Sequence, residues 1–176
     1  MVITLIGYRG CGKTSVARLL AERMEWDWVD ADVKIAEAAG KSIRAIFASE
    51  GEPGFRARER TVMHQLLDSD KLIVAAGGGA ILIAATRSQM RTSGPVIWLK
   101  ASPETLAARI ENDDKSDSTR PSLTGKSIGE EVAEVLAERT ELYEEAATIT
   151  IDTESKTIEE VVDEIEHQFS QQQLTN

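Results

Sequence analysis

The sequence predicts an α/β fold in which a parallel sheet is covered by helices on both faces. Two observations predict it. Short apolar runs alternate with helix-period stretches along the chain, and a glycine-rich turn joins the first run to the first helix pattern. A chain of 176 residues is long enough for one core of ordinary size and too short for two comfortable domains.

The elements follow in order. "VITLI" at 2–6 reads as a strand, and 13–24 as a helix in which Val16, Leu19 and Leu20 share a face. "WDWV" at 26–29 precedes a helix over 32–39. The segment 42–70 has helical character, but "EGEPG" at 50–54 should break it in two. "LIVAA" at 72–76 precedes a helix over 80–90, "VIWL" at 96–99 one over 102–111, and "ATITI" at 147–151 one over 157–169. Residues 111–127 contain almost no apolar side chains, so a mobile loop inside the domain is expected there. We place a single domain over 1–170 and a frayed tail over 171–176.

Composition narrows the partners. With 41% hydrophobic and 28% charged residues the chain is of globular type, and no apolar run approaches the roughly 20 residues of a membrane span. The formal net charge of −10 repels polyanions, and no basic stripe suits nucleic acid. A small anionic ligand remains compatible, because local cations decide over a Debye length of about 8 Å. Met1 runs straight into the first strand pattern and Cys11 is the single cysteine, so a cytoplasmic address is expected.

Gly7, Gly12, Lys13 and Thr14 in "GYRGCGKTS" fit G-x-x-x-x-G-K-[ST]. Glycines let backbone N–H groups curl around phosphate oxygens, the lysine reaches the β and γ phosphates, the hydroxyl ligates Mg²⁺, and the helix that follows presents its positive end. No N-K-x-D motif is present, which disfavours a GTPase. Four further motifs follow "DAD" at 30–32: "GFRARE" at 54–59, "AAGGGA" at 75–80, "RPSL" at 120–123 and "ERTELYEEAA" at 138–147.

That ordered set resembles the shikimate kinases, a family of nucleoside monophosphate kinase-like P-loop proteins. The resemblance implies a three-layer P-loop sandwich with a five-stranded parallel sheet, a mobile lid over about 111–127, and transfer of the ATP γ-phosphoryl to the 3-hydroxyl of shikimate. It implies ATP-binding at Gly10, Cys11, Gly12, Lys13, Thr14 and Ser15, with Thr14 and Asp30 at the Mg²⁺. Asp32 would meet the ring hydroxyls, Arg56 and Arg139 the carboxylate, and Gly77, Gly78 and Gly79 would bring backbone close to the same substrate. Arg120 would be the lid arginine that reaches the transferring phosphate, and Arg109 and Lys156 fall where the family contacts adenine. Lys13, Asp32 and Arg120 are thus the expected catalytic residues of a monomer. The chain departs from the family pattern at Glu141, where proline is usual, and in a longer lid carrying Glu111, Asp113, Asp114 and Asp117.

Competing roles exist for several of these residues. Asp32 directly precedes a helix pattern and would serve as an N-cap. Arg139 sits among Glu138, Glu141, Glu144 and Glu145, so an ion pair competes with a ligand, and Arg58 reads as a surface or helix-pair residue. His64 is expected to be structural. Rival functions are a kinase for another small hydroxy acid such as gluconate, and a nucleotide-binding regulatory module.

Overall fold

Val2–Ile6 (β1), Asp27–Asp30 (β2), Leu72–Ala75 (β3), Val96–Lys100 (β4) and Ile149–Asp152 (β5) form one parallel sheet in the order β2-β3-β1-β4-β5. The structure, a computed structural model, describes residues 1–112 and 127–174. Every side chain of β1 is buried, as a central strand covered on both faces requires, whereas the edge strand β5 alternates buried and exposed.

The helices are Lys13–Met24 (α1), Ala31–Ala39 (α2), Ile43–Leu67 (α3), Ala84–Ser93 (α4), Pro103–Glu111 (α5), Ile128–Ala146 (α6) and Ile158–Leu174 (α7). On one face Ile3, Leu5, Ile73 and Ile97 pack with Val16 and Leu20 of α1 and Val161 and Ile165 of α7. On the other, Val2, Ile6, Val74 and Trp98 pack with Met63 of α3, Met90 of α4 and Tyr143 of α6. A third cluster of Ile35, Ile43, Ile46, Phe55 and Val62 joins α2 to α3. Among the described residues no helix is long and apolar enough to cross a membrane.

The expected break in α3 falls at Gly51, whose φ of 66° and ψ of −176° leave the helical region. Two expectations change. The helix over 80–90 is instead a 3₁₀ turn, Ala80–Leu82, followed by α4. The turn is built by Ala80 N–H on the Gly77 carbonyl and Leu82 N–H on the Gly79 carbonyl, both at 3.0 Å, and the buried Arg87 side chain donates to the Ile81 carbonyl at 2.8 Å. Ile83 is then extended, at φ −97° and ψ 117°, so the helix starts again after it. The final helix also continues past 169 to Leu174.

The sheet order puts β1 between β3 and β4, so successive crossovers leave on opposite sides of the first strand. Ligands of open parallel sheets bind outside the carboxyl ends of the strands at such a switch point. The loops after β1 and β3 meet there with the junction of β2 and α2.

Candidate active site

The loop after β1 turns on three glycines with positive φ: Gly7 at 140°, Gly10 at 82° and Gly12 at 94°. L side chains avoid these conformations. Crowding adds to the demand at Gly7, where a Cβ would lie 2.6 Å from the Leu99 carbonyl oxygen and 2.8 Å from Cys11 Sγ. Lys13 opens α1, and its Nζ donates to the Gly7 and Tyr8 carbonyls at 2.8 and 3.0 Å, with Cys11 Sγ at 3.6 Å. The ammonium is therefore held directly over the loop.

Thr14 Oγ1 donates to Asp30 Oδ2 at 2.8 Å, so the two residues expected at a metal are neighbours. The other Asp30 oxygen accepts the Asp32 backbone N–H at 2.9 Å. Asp30, and not Asp32, is the N-cap of α2. This corrects the capping role anticipated for Asp32, which lies one step inside the helix, where its N–H is the group needing a cap.

Arg56 and Arg139 come together on consecutive glycines. Arg139 Nη1 donates to the Gly78 carbonyl at 3.1 Å. A Cβ on Gly79 would stand 2.1 Å from Arg56 Nη1, so the Arg56 guanidinium occupies the space that a side chain at 79 would take. Gly78 also faces the phosphate loop: a Cβ on it would be 3.5 Å from the Gly7 carbonyl oxygen. The acidic neighbours of Arg139 do not claim it among the described residues. Glu145 instead takes Arg87 Nη2 through both oxygens, at 3.1 and 2.8 Å, and Glu141 is exposed.

Arg56 is also held from behind. Its Nη1 donates to Glu59 Oε2 at 2.6 Å, and Nε and Nη2 reach Glu52 Oε1 at 3.2 and 3.1 Å. Glu59 is 2% exposed, and a buried carboxylate one helical turn from an arginine fixes that arginine's direction. The sequence reading missed Glu59, although the three-residue spacing within "FRARE" was a signal for it. It also passed over Arg9, whose Nη2 meets the buried Glu131 of α6 at 2.9 Å, and Tyr143. Arg58 pairs with Glu50, Nε at 2.8 Å and Nη2 at 3.1 Å, as a helix-pair residue.

The two adenine candidates share the loop after β5. Arg109 on α5 donates to Thr153 Oγ1 at 3.1 Å and to its carbonyl at 2.8 Å, while Lys156 pairs with Glu164 at 2.5 Å. The proposed lid and its Arg120 lie outside the described residues, apart from the ends at 111–112 and 127.

A family model described as Shikimate kinase matches residues 9–170. The chain belongs to the shikimate kinase family. The shikimate kinase of Rhodopirellula baltica is 42% identical over 161 residues, covering 92% of this chain and 86% of the relative. Shikimate kinase 2 of Yersinia enterocolitica is 42% identical over 165 residues, 94% of this chain and 93% of its own. Among solved structures, shikimate kinase from Acinetobacter baumannii in complex with shikimate superposes with a TM-score of 0.92 at 34% identity, covering 98% of this chain and 94% of that one. Phosphotransfer is thus the chemistry of the family to which this site belongs.

Proposed function

We propose that this chain transfers the γ-phosphoryl group of ATP to the 3-hydroxyl of shikimate, as a monomer in the cytoplasm, within the route to aromatic amino acids. The observation that carries the reading is the meeting of Arg56 and Arg139 at Gly78–Gly79, against the phosphate loop. Two guanidinium groups beside one stretch of bare backbone suit a planar carboxylate, which two-point hydrogen bonding orients. The similarity to a shikimate-bound structure supports the same acceptor.

Each residue then has a task. The loop amides and Lys13 hold the phosphates, and Lys13 exchanges its carbonyl partners for phosphate oxygens. Gly10 to Ser15 form that cradle, with Arg109 and Lys156 bordering the adenine. The oxygen pair of Thr14 and Asp30 fits Mg²⁺, which takes few protein ligands and keeps water and phosphate in the rest of its shell. Bound there, Mg²⁺ would neutralise charge on the phosphates. Asp32, at the start of α2, orients the accepting hydroxyl and takes its proton as the phosphoryl group leaves ATP. Arg120 completes the set on the strength of the family motif alone.

The test is ADP release from ATP measured across shikimate, gluconate and AMP. Shikimate-dependent release alone is expected. Comparable turnover with gluconate would assign a different acceptor, and release that ignores every acceptor would favour a nucleotide-binding module.

A further inference from the structure

Arg139 and Tyr143 lie one turn apart on α6 and converge on one atom. Arg139 Nη1 donates to the Gly78 carbonyl oxygen at 3.1 Å, and the Tyr143 hydroxyl donates to the same oxygen at 3.0 Å. A carbonyl oxygen offers two lone pairs, so these two donors saturate it.

We propose that Tyr143 is a positioning residue for recognition of the acceptor's carboxylate. Its hydroxyl fills one lone pair of the Gly78 carbonyl, limits Arg139 to a single N–H on that oxygen, braces the guanidinium from beside it, and leaves the N–H groups turned away from Gly78 and Tyr143 for the anion. This rests on the assignment of Arg139 to the carboxylate made above.

The hydroxyl is held in place by its surroundings. Tyr143 is fully buried, and its ring stacks on Trp98 with centroids 5.5 Å apart and planes 15° from parallel. Burial drives the phenol well above its ordinary range, so the group stays an O–H donor throughout the working pH range. Arg139, only partly buried, has three donor-bearing nitrogens and a longer side chain, and it is the partner free to turn. Without the hydroxyl, the second lone pair of Gly78 is open to another N–H of the same guanidinium. A carbonyl short of a donor in a buried setting favours that turn, and the fork then faces backbone instead of substrate.

The experiment compares kcat/KM for shikimate and for its uncharged methyl ester, with KM for ATP as a control. Wild type should prefer the acid. Tyr143→Phe keeps the ring and its stack, and the acid-to-ester ratio should fall about tenfold, the loss expected for one directed hydrogen bond, while KM for ATP stays put. Replacing Tyr143 by 4-fluorophenylalanine fills the hydroxyl's volume without an O–H and should give the same fall, which keeps the test valid if the phenylalanine variant folds poorly. Trp98→Phe disturbs the same packing but spares the hydroxyl, and should leave the ratio unchanged.

An unchanged ratio in both Tyr143 variants overturns the proposal, and so does an equal fall in Trp98→Phe. Arg139→Lys separates the two levels of the argument. If it collapses the ratio while the Tyr143 variants do not, the carboxylate assignment stands and the role of Tyr143 fails. If wild type shows no preference for the acid and Arg139→Lys changes nothing, the carboxylate assignment itself fails.

Discussion

Asp30 and Asp32 are two residues apart and do different work, which substitution separates. Asp30 accepts both Thr14 Oγ1 and the Asp32 N–H, so Asp30→Ala should lose a helix cap worth about 1 kcal/mol together with one oxygen of the proposed metal site. Asp32→Asn leaves that cap intact. Its stability should fall by less than about 1 kcal/mol, the contribution of a charge in the first helical turn, while kcat falls by roughly 10²–10⁴-fold. Thermal melts and steady-state kinetics on both variants check this, and a normal kcat in Asp32→Asn would remove it from the chemistry. Gly79→Ala is the second prediction at this scale. The new methyl meets the far end of the Arg56 side chain, at 2.1 Å from Nη1, and not a rigid backbone. The arginine moves aside, so folding should survive while KM for shikimate rises about tenfold or more and KM for ATP changes little.

Among the elements, α3 owes its shape to a break and a clamp. Gly51 leaves the helical region, and Glu50 beside it binds Arg58 from the second half and Lys41 from the turn before the first. Hydrogen bonds from Arg58, and next from Lys41, hold the Glu50 carboxyl at about 2, below its ordinary value near 4.5. A carboxyl depressed in the folded state stabilises fully above its unfolded pKa and loses that contribution as pH falls through the folded value. Glu50→Gln should therefore melt lower than wild type at pH 7. The gap should narrow from about pH 4.5 downward and close near pH 2, a window that urea unfolding at a series of pH values would follow. A gap independent of pH would mean that the carboxylate charge plays no part. The expected position of this break was legible in "EGEPG", because glycine and proline act on their own backbone. The clamp was not, since nothing in sequence pairs residue 50 with both 41 and 58.

For the whole molecule, the phosphate loop is continuous with β1, whose strand is buried at the centre of the sheet, so a ligand on the loop should stabilise the entire domain. ADP with Mg²⁺ at a hundred times its Kd adds about 2.7 kcal/mol, or about 5–10 °C in Tm for a chain of this size. Lys13→Ala should lose most of that shift at the same ADP concentration. Its unliganded Tm should fall by only a few degrees, from the lost bonds to the Gly7 and Tyr8 carbonyls. A full ADP shift in the variant would take Lys13 out of phosphate binding. What the sequence by itself determined was local: five strands, the phosphate loop with its glycines, the break in α3, and the residue types at the site. Apolar period, glycine spacing and turn chemistry act within one element, so they survive without a partner. The tertiary structure decided the meetings that no motif carries. Arg9 reaches Glu131 across 122 residues, the Tyr143 hydroxyl reaches Gly78 across 65, and the N-cap of α2 fell to Asp30 where Asp32 had been the candidate. Those pairings depend on β1 lying between β3 and β4, which gathers loops distant in the chain at one end of the sheet, and a strand order of that kind is set by the packing of all the layers together.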